Sequence, residues 1–233
     1  MAMCDRCGEA LDIDMESAGL AGQLLDEGVL CSECRADPPM FERAVAYAVY
    51  QGELREMVHL LKYERMELVA KLLGGMLAES ILTLEVEAAH ELLVVAVPLF
   101  PAKQRQRGYN QSALLADAAI ETLRRSHPQW RLRPQHTLME RHRDTRSQFE
   151  LNSVSRRRNI QGAFRVNPNA IAPGSEVLLV DDIYTTGATA RECSRVLRRA
   201  GASKVWVATL ARAQTTRVAL WDDTRLRAVQ GFG

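Results

Sequence analysis

Val177-Leu-Leu-Val-Asp181-Asp182-Ile-Tyr-Thr185-Thr186-Gly187-Ala188-Thr189 decides the fold of this 233-residue chain. The stretch opens with four apolar residues, as in a strand buried on both faces. Two adjacent carboxylates stand at its tip and a short Thr/Gly loop follows. Ala188 to Ala200 then reads as a helix, ended by Gly201. A strand, a glycine-bearing loop and a helix start, in that order, make an anion site. Backbone N–H groups of the first helical turn face the anion, and the helix dipole favours it. Gly187 permits close backbone approach, and Thr185, Thr186 and Thr189 add hydroxyl donors. Asp181 and Asp182 would repel a phosphate. They are therefore expected to serve sugar hydroxyls or a Mg²⁺ shared with the ligand. The alternative is a strand running into a helix with no ligand at all.

Outward from this stretch the pattern is α/β. Leu92 to Val97 is a second continuous apolar run of strand length. Ala44 to Tyr50 and Lys204 to Leu210 read as further strands. Glu53 to Tyr63, Glu67 to Leu84 and residues 109–125 read as helices, and 153–161 as a short basic helix. Strands alternating with helices predict an open, mostly parallel sheet with helices on both faces. Such sheets bind ligands beyond the carboxyl ends of their strands, so the site is expected just after Val97 and just after Val180.

After Val97 the chain reads Pro98-Leu99-Phe100-Pro101-Ala-Lys103-Gln-Arg105-Gln-Arg107-Gly108-Tyr109-Asn110-Gln111. Lys103, Arg105 and Arg107 alternate on what reads as a loop and could meet a polyphosphate as charge-assisted donors. A solvated basic loop is the plainer alternative. The polar segment Arg141 to Gln148 runs into Ser155-Arg156-Arg157-Arg158-Asn159 and reads as a mobile flap with a basic cluster.

Four of the five cysteines form two C-x-x-C pairs, Cys4/Cys7 and Cys31/Cys34. Two such knuckles aim four thiolates at one tetrahedral ion, the pattern of structural zinc. The polar residues between them cannot build a core, so metal binding would supply the folding energy. Disulfides would need an oxidising compartment, and a redox C-x-x-C would need a preceding strand. Cys193, alone in a helical stretch, reads as a small buried hydrophobe. Pro38-Pro39 reads as a linker, dividing a metal module at 1–38 from a domain at 43–233.

Composition narrows the function. With 25% charged and 47% hydrophobic residues the chain is of globular type. Its longest nearly apolar run, Leu92 to Ala102, falls short of the roughly 20 residues that span a bilayer. No signal-type apolar region follows the start, so a cytoplasmic location is expected. The net charge of +1 hides an asymmetry: residues 1–100 carry 7 basic and 18 acidic side chains, residues 101–233 carry 23 and 11. Residues 101–165 alone hold 14 basic and 5 acidic groups. That local excess suggests a phosphate-bearing ligand.

The Val177–Thr189 stretch resembles the phosphoribosyl pyrophosphate (PRPP) motif of type I phosphoribosyltransferases. Added to it are the paired knuckles, Leu61-Lys62-Tyr63, Val97-Pro98-Leu99 with Arg107 to Gln111, and Arg143 to Gln148 with Arg156 and Asn159. Together they resemble the ComF family, which includes GntX-like proteins. Two positions depart from the common family pattern: Arg146-Ser147, where many members have prolines, and Phe100, where a His is common. The resemblance implies the type I phosphoribosyltransferase fold behind a small zinc-ribbon-like module. It implies that Asp181 and Asp182 hold the ribose hydroxyls and that Thr185 to Thr189 cradle the 5′-phosphate. Pro98, Leu99, Lys103, Arg105 and Arg107 would hold the pyrophosphate. Arg143 and Gln148 would belong to a hood loop. It implies structural Zn, and Mg with PRPP. It also implies a role in DNA uptake during natural transformation, with single-stranded DNA met by Arg156, Arg157 and Arg158 and a helicase-like partner protein. Three readings stay open: a single-strand-binding accessory of DNA uptake, a working Mg-dependent phosphoribosyltransferase, and a PRPP or nucleotide sensor without catalysis.

Overall fold

The two apolar runs, Leu92 to Val97 and Val177 to Val180, lie side by side, and the rest of the chain is laid around them. The computed structural model describes residues 2–11, 28–63, 67–145, 158–167 and 170–213. In chain order, the short strands β1 (Ala2–Met3) and β2 (Ala10–Leu11) pair antiparallel. They are followed by α1 (Ser32–Ala36), β3 (Arg43–Val49), α2 (Gly52–Tyr63) and α3 (Glu67–Leu82). Next come β4 (Glu91–Ala96), α4 (Pro101–Arg107), α5 (Gln111–Ser126) and β5 (Arg131–Pro134). The small antiparallel pair β6 (Met139–Arg141) and β7 (Phe164–Val166) precedes β8 (Glu176–Tyr184), α6 (Ala188–Arg199) and β9 (Lys204–Arg212). Five strands make one sheet in the order β3-β9-β8-β4-β5, with every pairing parallel.

Alternation along the strands sorts side chains into two cores. Leu92 and Val94, Leu178 and Val180, and Trp206, Ala208 and Leu210 join one cluster, filled by α2, α3 and α5. Val95 and Val97, Val177 and Leu179, and Val205 and Val207 join the other, filled by α6, the β6–β7 segment and the four paired cysteines. The sheet is therefore covered on both faces, as its apolar strands require. From β4 the chain crosses through α5 to β5. From β8 it crosses through α6 to β9, in the opposite direction. The crevice between the ends of β4 and β8 is thus the switch point of the sheet, where doubly wound folds bind ligands.

Several elements differ from the sequence reading. Residues 101–107 are a helix rather than a loop, started by Pro101 and ended by Gly108 in the left-handed conformation at φ 84. At a helical 100° per residue, Lys103 and Arg107 share one face and Arg105 is turned to the other. β8 runs to Tyr184, so Asp181 and Asp182 lie inside the strand. β5 and the β6–β7 pair are too short and polar to show a period. Of the basic helix expected over 153–161, residues 158–160 are helical and 153–157 lie outside the described residues. Among the described residues no helix is long and apolar enough to cross a membrane.

Helices α3 and α5 touch through Gly74. A Cβ there would lie 2.3 Å from the Ala118 Cβ, whereas one on Gly75 would meet nothing within 4 Å. Gly74→Ala is expected to lower stability by about 1–3 kcal/mol through overpacking. Gly75→Ala is expected to raise it by about 0.5–1 kcal/mol through helix propensity. Urea unfolding of the two variants checks both signs.

Candidate functional site

Beyond the carboxyl ends of β4 and β8 lies a cavity of about 260 Å³. Its wall includes Asp181, Asp182, Thr185, Gly187, Ala188 and Thr189, with Pro98, Leu99 and Lys103 from the β4 side. Nine of the expected site residues, drawn from two distant segments, thus face one space.

The loop after β8 owes its shape to Gly187. This residue caps α6 at φ 71, and a Cβ on it would stand 2.1 Å from the Tyr184 hydroxyl. No side chain but glycine's fits. The cap has no side chain to offer the first turn of α6, and that turn carries no acidic residue. An anion placed there would meet helix N–H groups without a competing carboxylate in that turn. The Thr186 hydroxyl oxygen is buried without a partner among the described residues. Thr186 itself is not part of the cavity wall.

The acid pair is organised by its neighbours. The Ser112 hydroxyl, at the start of α5, donates to Asp181 Oδ1 at 3.0 Å, and the Asp182 N–H donates to the same oxygen at 2.9 Å. The Ile183 N–H donates to Asp182 Oδ1 at 2.9 Å. On the other Asp182 oxygen sits Lys62 of α2, Nζ to Oδ2 2.5 Å, with only 19% and 9% of the two side chains exposed. Burial opposes the Lys62 charge, but attraction to Asp182 carries its pKa above the ordinary lysine value. Asp181 keeps a small surface toward the cavity and is otherwise enclosed. Burial, and then repulsion by Asp182, push its pKa up to about 8 against the pull of the hydrogen bonds. One carboxyl of the pair therefore holds a proton near neutrality until a cationic or hydrogen-donating ligand arrives.

Cations face the acids. Lys103 is depressed below its ordinary value, first by burial and then by Arg107, Arg141 and Lys62. Arg141, at the end of β6, lines the cavity together with Asp144 and Thr145. It donates to the Thr145 hydroxyl and lies over the Phe164 ring at 5.6 Å, while its Nε is buried without a partner among the described residues. Burial lowers its pKa below the ordinary arginine value.

Other expected residues stand elsewhere. Arg107 donates to Gln111 beside the cavity, and neither it nor Arg105 forms part of the wall. Arg143 ties the base of the flap together, donating to the carbonyls of Asn159 at 2.9 Å and Gln161 at 2.5 Å. Arg158 is exposed. Gln148, Arg156 and Arg157 lie outside the described residues. Lys62, Ser112 and Arg141 form part of the site although none was singled out for it. Lys62 carried a signal, a lone lysine closing an amphipathic helix within Leu61-Lys62-Tyr63. Ser112 carried none.

Cys4, Cys7, Cys31 and Cys34 are buried, and their sulfurs lie within 4.8 Å of one another. The Cys7 and Cys31 sulfurs are 3.7 Å apart, close to the ~3.8 Å edge of a tetrahedron with zinc–sulfur bonds of about 2.3 Å. The donor set thus fits a closed tetrahedral ion, with no position left for a substrate. Cys193 is fully buried, which pushes its thiol pKa well up.

Two variants probe the acid pair. Folded Asp181 holds its proton more tightly than the unfolded chain, so its contribution to stability declines as pH rises toward 8. Asp181→Asn is expected to raise the Tm by about 2–4 °C at pH 8 and by less at pH 5, read by calorimetry. Lys62→Met leaves Asp182 as an unpaired buried carboxylate. It is expected to lose about 3–5 kcal/mol in urea unfolding, and a second change, Asp182→Asn, is expected to restore most of it.

Comparison with known proteins agrees with this geometry. The model of the phosphoribosyl transferase domain matches residues 135–230. DNA utilization protein YhgH of Escherichia coli K12 is 32% identical over 213 residues, 90% of each chain. Competence protein F of Haemophilus influenzae is 30% identical over 190 residues, 78% of each chain. Competence protein ComFC of Streptococcus pneumoniae is 28% identical over 180 residues, 77% of this chain and 71% of its own. A parallel sheet with the acid pair at its switch point, four clustered cysteines, and this likeness over most of its length make the chain a member of the ComF family, with a phosphoribosyltransferase-type domain.

Proposed function

We propose that this protein binds PRPP in the cavity between β4 and β8 and acts on single-stranded DNA during DNA uptake. The observation that carries the first half is the convergence of Asp181, Asp182, Thr185, Gly187 and Thr189 with Lys103 and Arg141 on one space. Acids suited to ribose hydroxyls stand beside an anion cradle, with cations opposite for a second phosphate group. The relatives' names, which speak of DNA utilization and competence, support the second half.

Within this reading Asp181 and Asp182 accept from the ribose 2′ and 3′ hydroxyls, and Lys62 holds the Asp182 side chain in place for that purpose. The first turn of α6 receives the 5′-phosphate, and Thr185, Thr186 and Thr189 donate to it. Pro98 and Leu99 shape the backbone beneath the pyrophosphate, while Lys103 and Arg141 balance its charge, with Arg105 and Arg107 adding to the local field. The flap anchored by Arg143, with Gln148 beyond it, covers the ligand and excludes water. Mg²⁺, when bound with the ligand beside the acid pair, would supply positive charge to a departing pyrophosphate. The protein's own contribution is positioning and charge stabilisation. The cysteine set holds structural zinc. Arg156, Arg157 and Arg158 contact DNA phosphates, and a helicase-like protein is a suitable partner.

A second reading, a working phosphoribosyltransferase, is favoured by the intact acid pair, with its protonation poised near neutrality. Loss of catalysis with the binding loop retained would leave a PRPP sensor with the same ligand.

Calorimetric titration of the zinc-loaded protein with PRPP and Mg²⁺ is expected to give micromolar binding, abolished in Asp181→Asn/Asp182→Asn. Absence of heat with the intact protein would sink the reading. Single-strand binding is expected to weaken with salt. Replacing Arg156, Arg157 and Arg158 by Gln should flatten the log–log slope by about 2, and an unchanged slope would move the DNA surface elsewhere. Screening nucleobases for pyrophosphate release separates enzyme from sensor.

A further inference from the structure

The four cysteines do not form an isolated module. They share one core with Tyr184, Ala188 and Ala190, the residues that frame the anion loop. Tyr184 and Thr209 line both the ligand cavity and a second cavity of about 280 Å³ whose far wall includes Cys4 and Cys7. A layer of side chains thus separates the cysteine cluster from the loop.

Two arginines cross that layer. Arg191, in α6 just past its first turn, donates to Cys34 Sγ at 3.5 Å and to the Asp37 carbonyl, with Asp37 Oδ2 also at 3.5 Å. The Arg191 N–H in turn donates to the Gly187 carbonyl at 2.8 Å. Arg212, at the end of β9, donates to the Cys7 carbonyl, to Glu9, and to Cys7 Sγ at 3.6 Å. Its guanidinium lies 4.4 Å over the Tyr184 ring, which Phe41 meets edge-on at 6.5 Å. The Tyr184 hydroxyl packs against Gly187 closely enough to exclude a Cβ.

A divalent ion held by four thiolates carries a net charge of −2. Buried, that charge needs donors, and Arg191 and Arg212 are placed to supply them. Without the ion that charge centre is gone, and the N–H···S contacts of both arginines lose it as a partner. We infer that Arg191 and Arg212 are positioning residues for the Thr185–Thr189 loop. They take their own placement from the metal-loaded cysteines, so metal occupancy and anion binding at the loop are coupled. Coupling of this kind is reciprocal: a filled metal site tightens the loop's ligand, and the ligand slows metal loss. The reciprocal half rests on the PRPP reading above; the structural half does not.

The test uses the full zinc-loaded chain and the variant Arg191→Met, whose side chain is 11% exposed in the wild type. Zinc transfer to a chromogenic chelator is expected to be about 10-fold faster or more in the variant. Hydrogen exchange at 185–190 should rise in the zinc-loaded variant, while exchange in α5 at 115–123 stays at the wild-type rate. In cobalt-substituted protein, loss of the N–H···S bond should move the thiolate-to-cobalt charge-transfer band to lower energy. A purely structural arginine would not move that band. PRPP with Mg²⁺ should slow zinc transfer in the wild type and not in the variant. Wild-type zinc transfer and wild-type exchange at 185–190 in the variant would overturn the inference. So would a rise in exchange equal in α5 and the loop. Failure of PRPP to bind the wild type, with the exchange and cobalt results as expected, would overturn the PRPP reading and leave the coupling of metal and loop intact.

Discussion

Two neighbouring carboxylates buried at the end of a central strand repel each other, and the chain around them is arranged to accommodate that repulsion. Asp182 is neutralised by Lys62 at 2.5 Å from the last turn of α2. Asp181 is held by Ser112 and by the backbone, and it keeps its proton up to about pH 8. These contacts come from α2, α5 and β8 itself, so the pair can form only when both helices are docked on the same face of the sheet. The docking is fixed nearby: the Tyr109 hydroxyl donates to the Leu61 carbonyl, and the Asn110 amide donates to the Val97 carbonyl at 3.0 Å. A strained acidic centre of this kind lowers stability while preparing a site for ligand, a familiar exchange at functional positions.

The sheet explains why the two cavity-lining segments meet although about 75 residues separate them. β4 and β8 are hydrogen-bonded in parallel, Leu92 opposite Glu176 through Ala96 opposite Val180. The Val97 N–H continues the ladder to the Val180 carbonyl at 2.9 Å. The chain leaves these strands in opposite directions, which opens a crevice between their ends. The turn before β7 is tied to the same frame, since the Gly162 N–H donates to Glu192 of α6 at 2.7 Å. One helix thus holds the loop after β8 at its start, the turn before β7 through Glu192, and the cysteine cluster through Arg191.

Much of this was legible in residues 177–189 and in the two C-x-x-C pairs, because their chemistry is local. A strand-loop-helix with one permissive glycine needs only adjacent residues, and thiolate knuckles need only short spacing. The reading failed where the physics is not local. Lys103, Arg105 and Arg107 alternate as on a loop, but Pro101 starts a helix that points only Lys103 into the cavity. Arg143, expected in a hood loop, donates to the carbonyls of Asn159 and Gln161, a long-range contact that no local pattern shows. Phe41 and Ala44, just beyond Pro38-Pro39, pack in the same core as the cysteines, a contact that no local pattern shows.

The pattern of residues alone carries the parallel α/β frame, through apolar runs of strand length, and points to the acid pair, the Thr/Gly loop and the four paired cysteines. Tertiary packing sets which side chains reach the acid pair, because the cations Lys62 and Arg141 and the hydroxyl of Ser112 arrive from three separate elements and none lies near Asp181 in sequence. It also decided that the cysteine cluster stands behind the anion loop. That placement depends on side-chain packing between segments some 150 to 200 residues apart, as from Cys34 to Arg191 and from Cys7 to Arg212, and no local pattern encodes it.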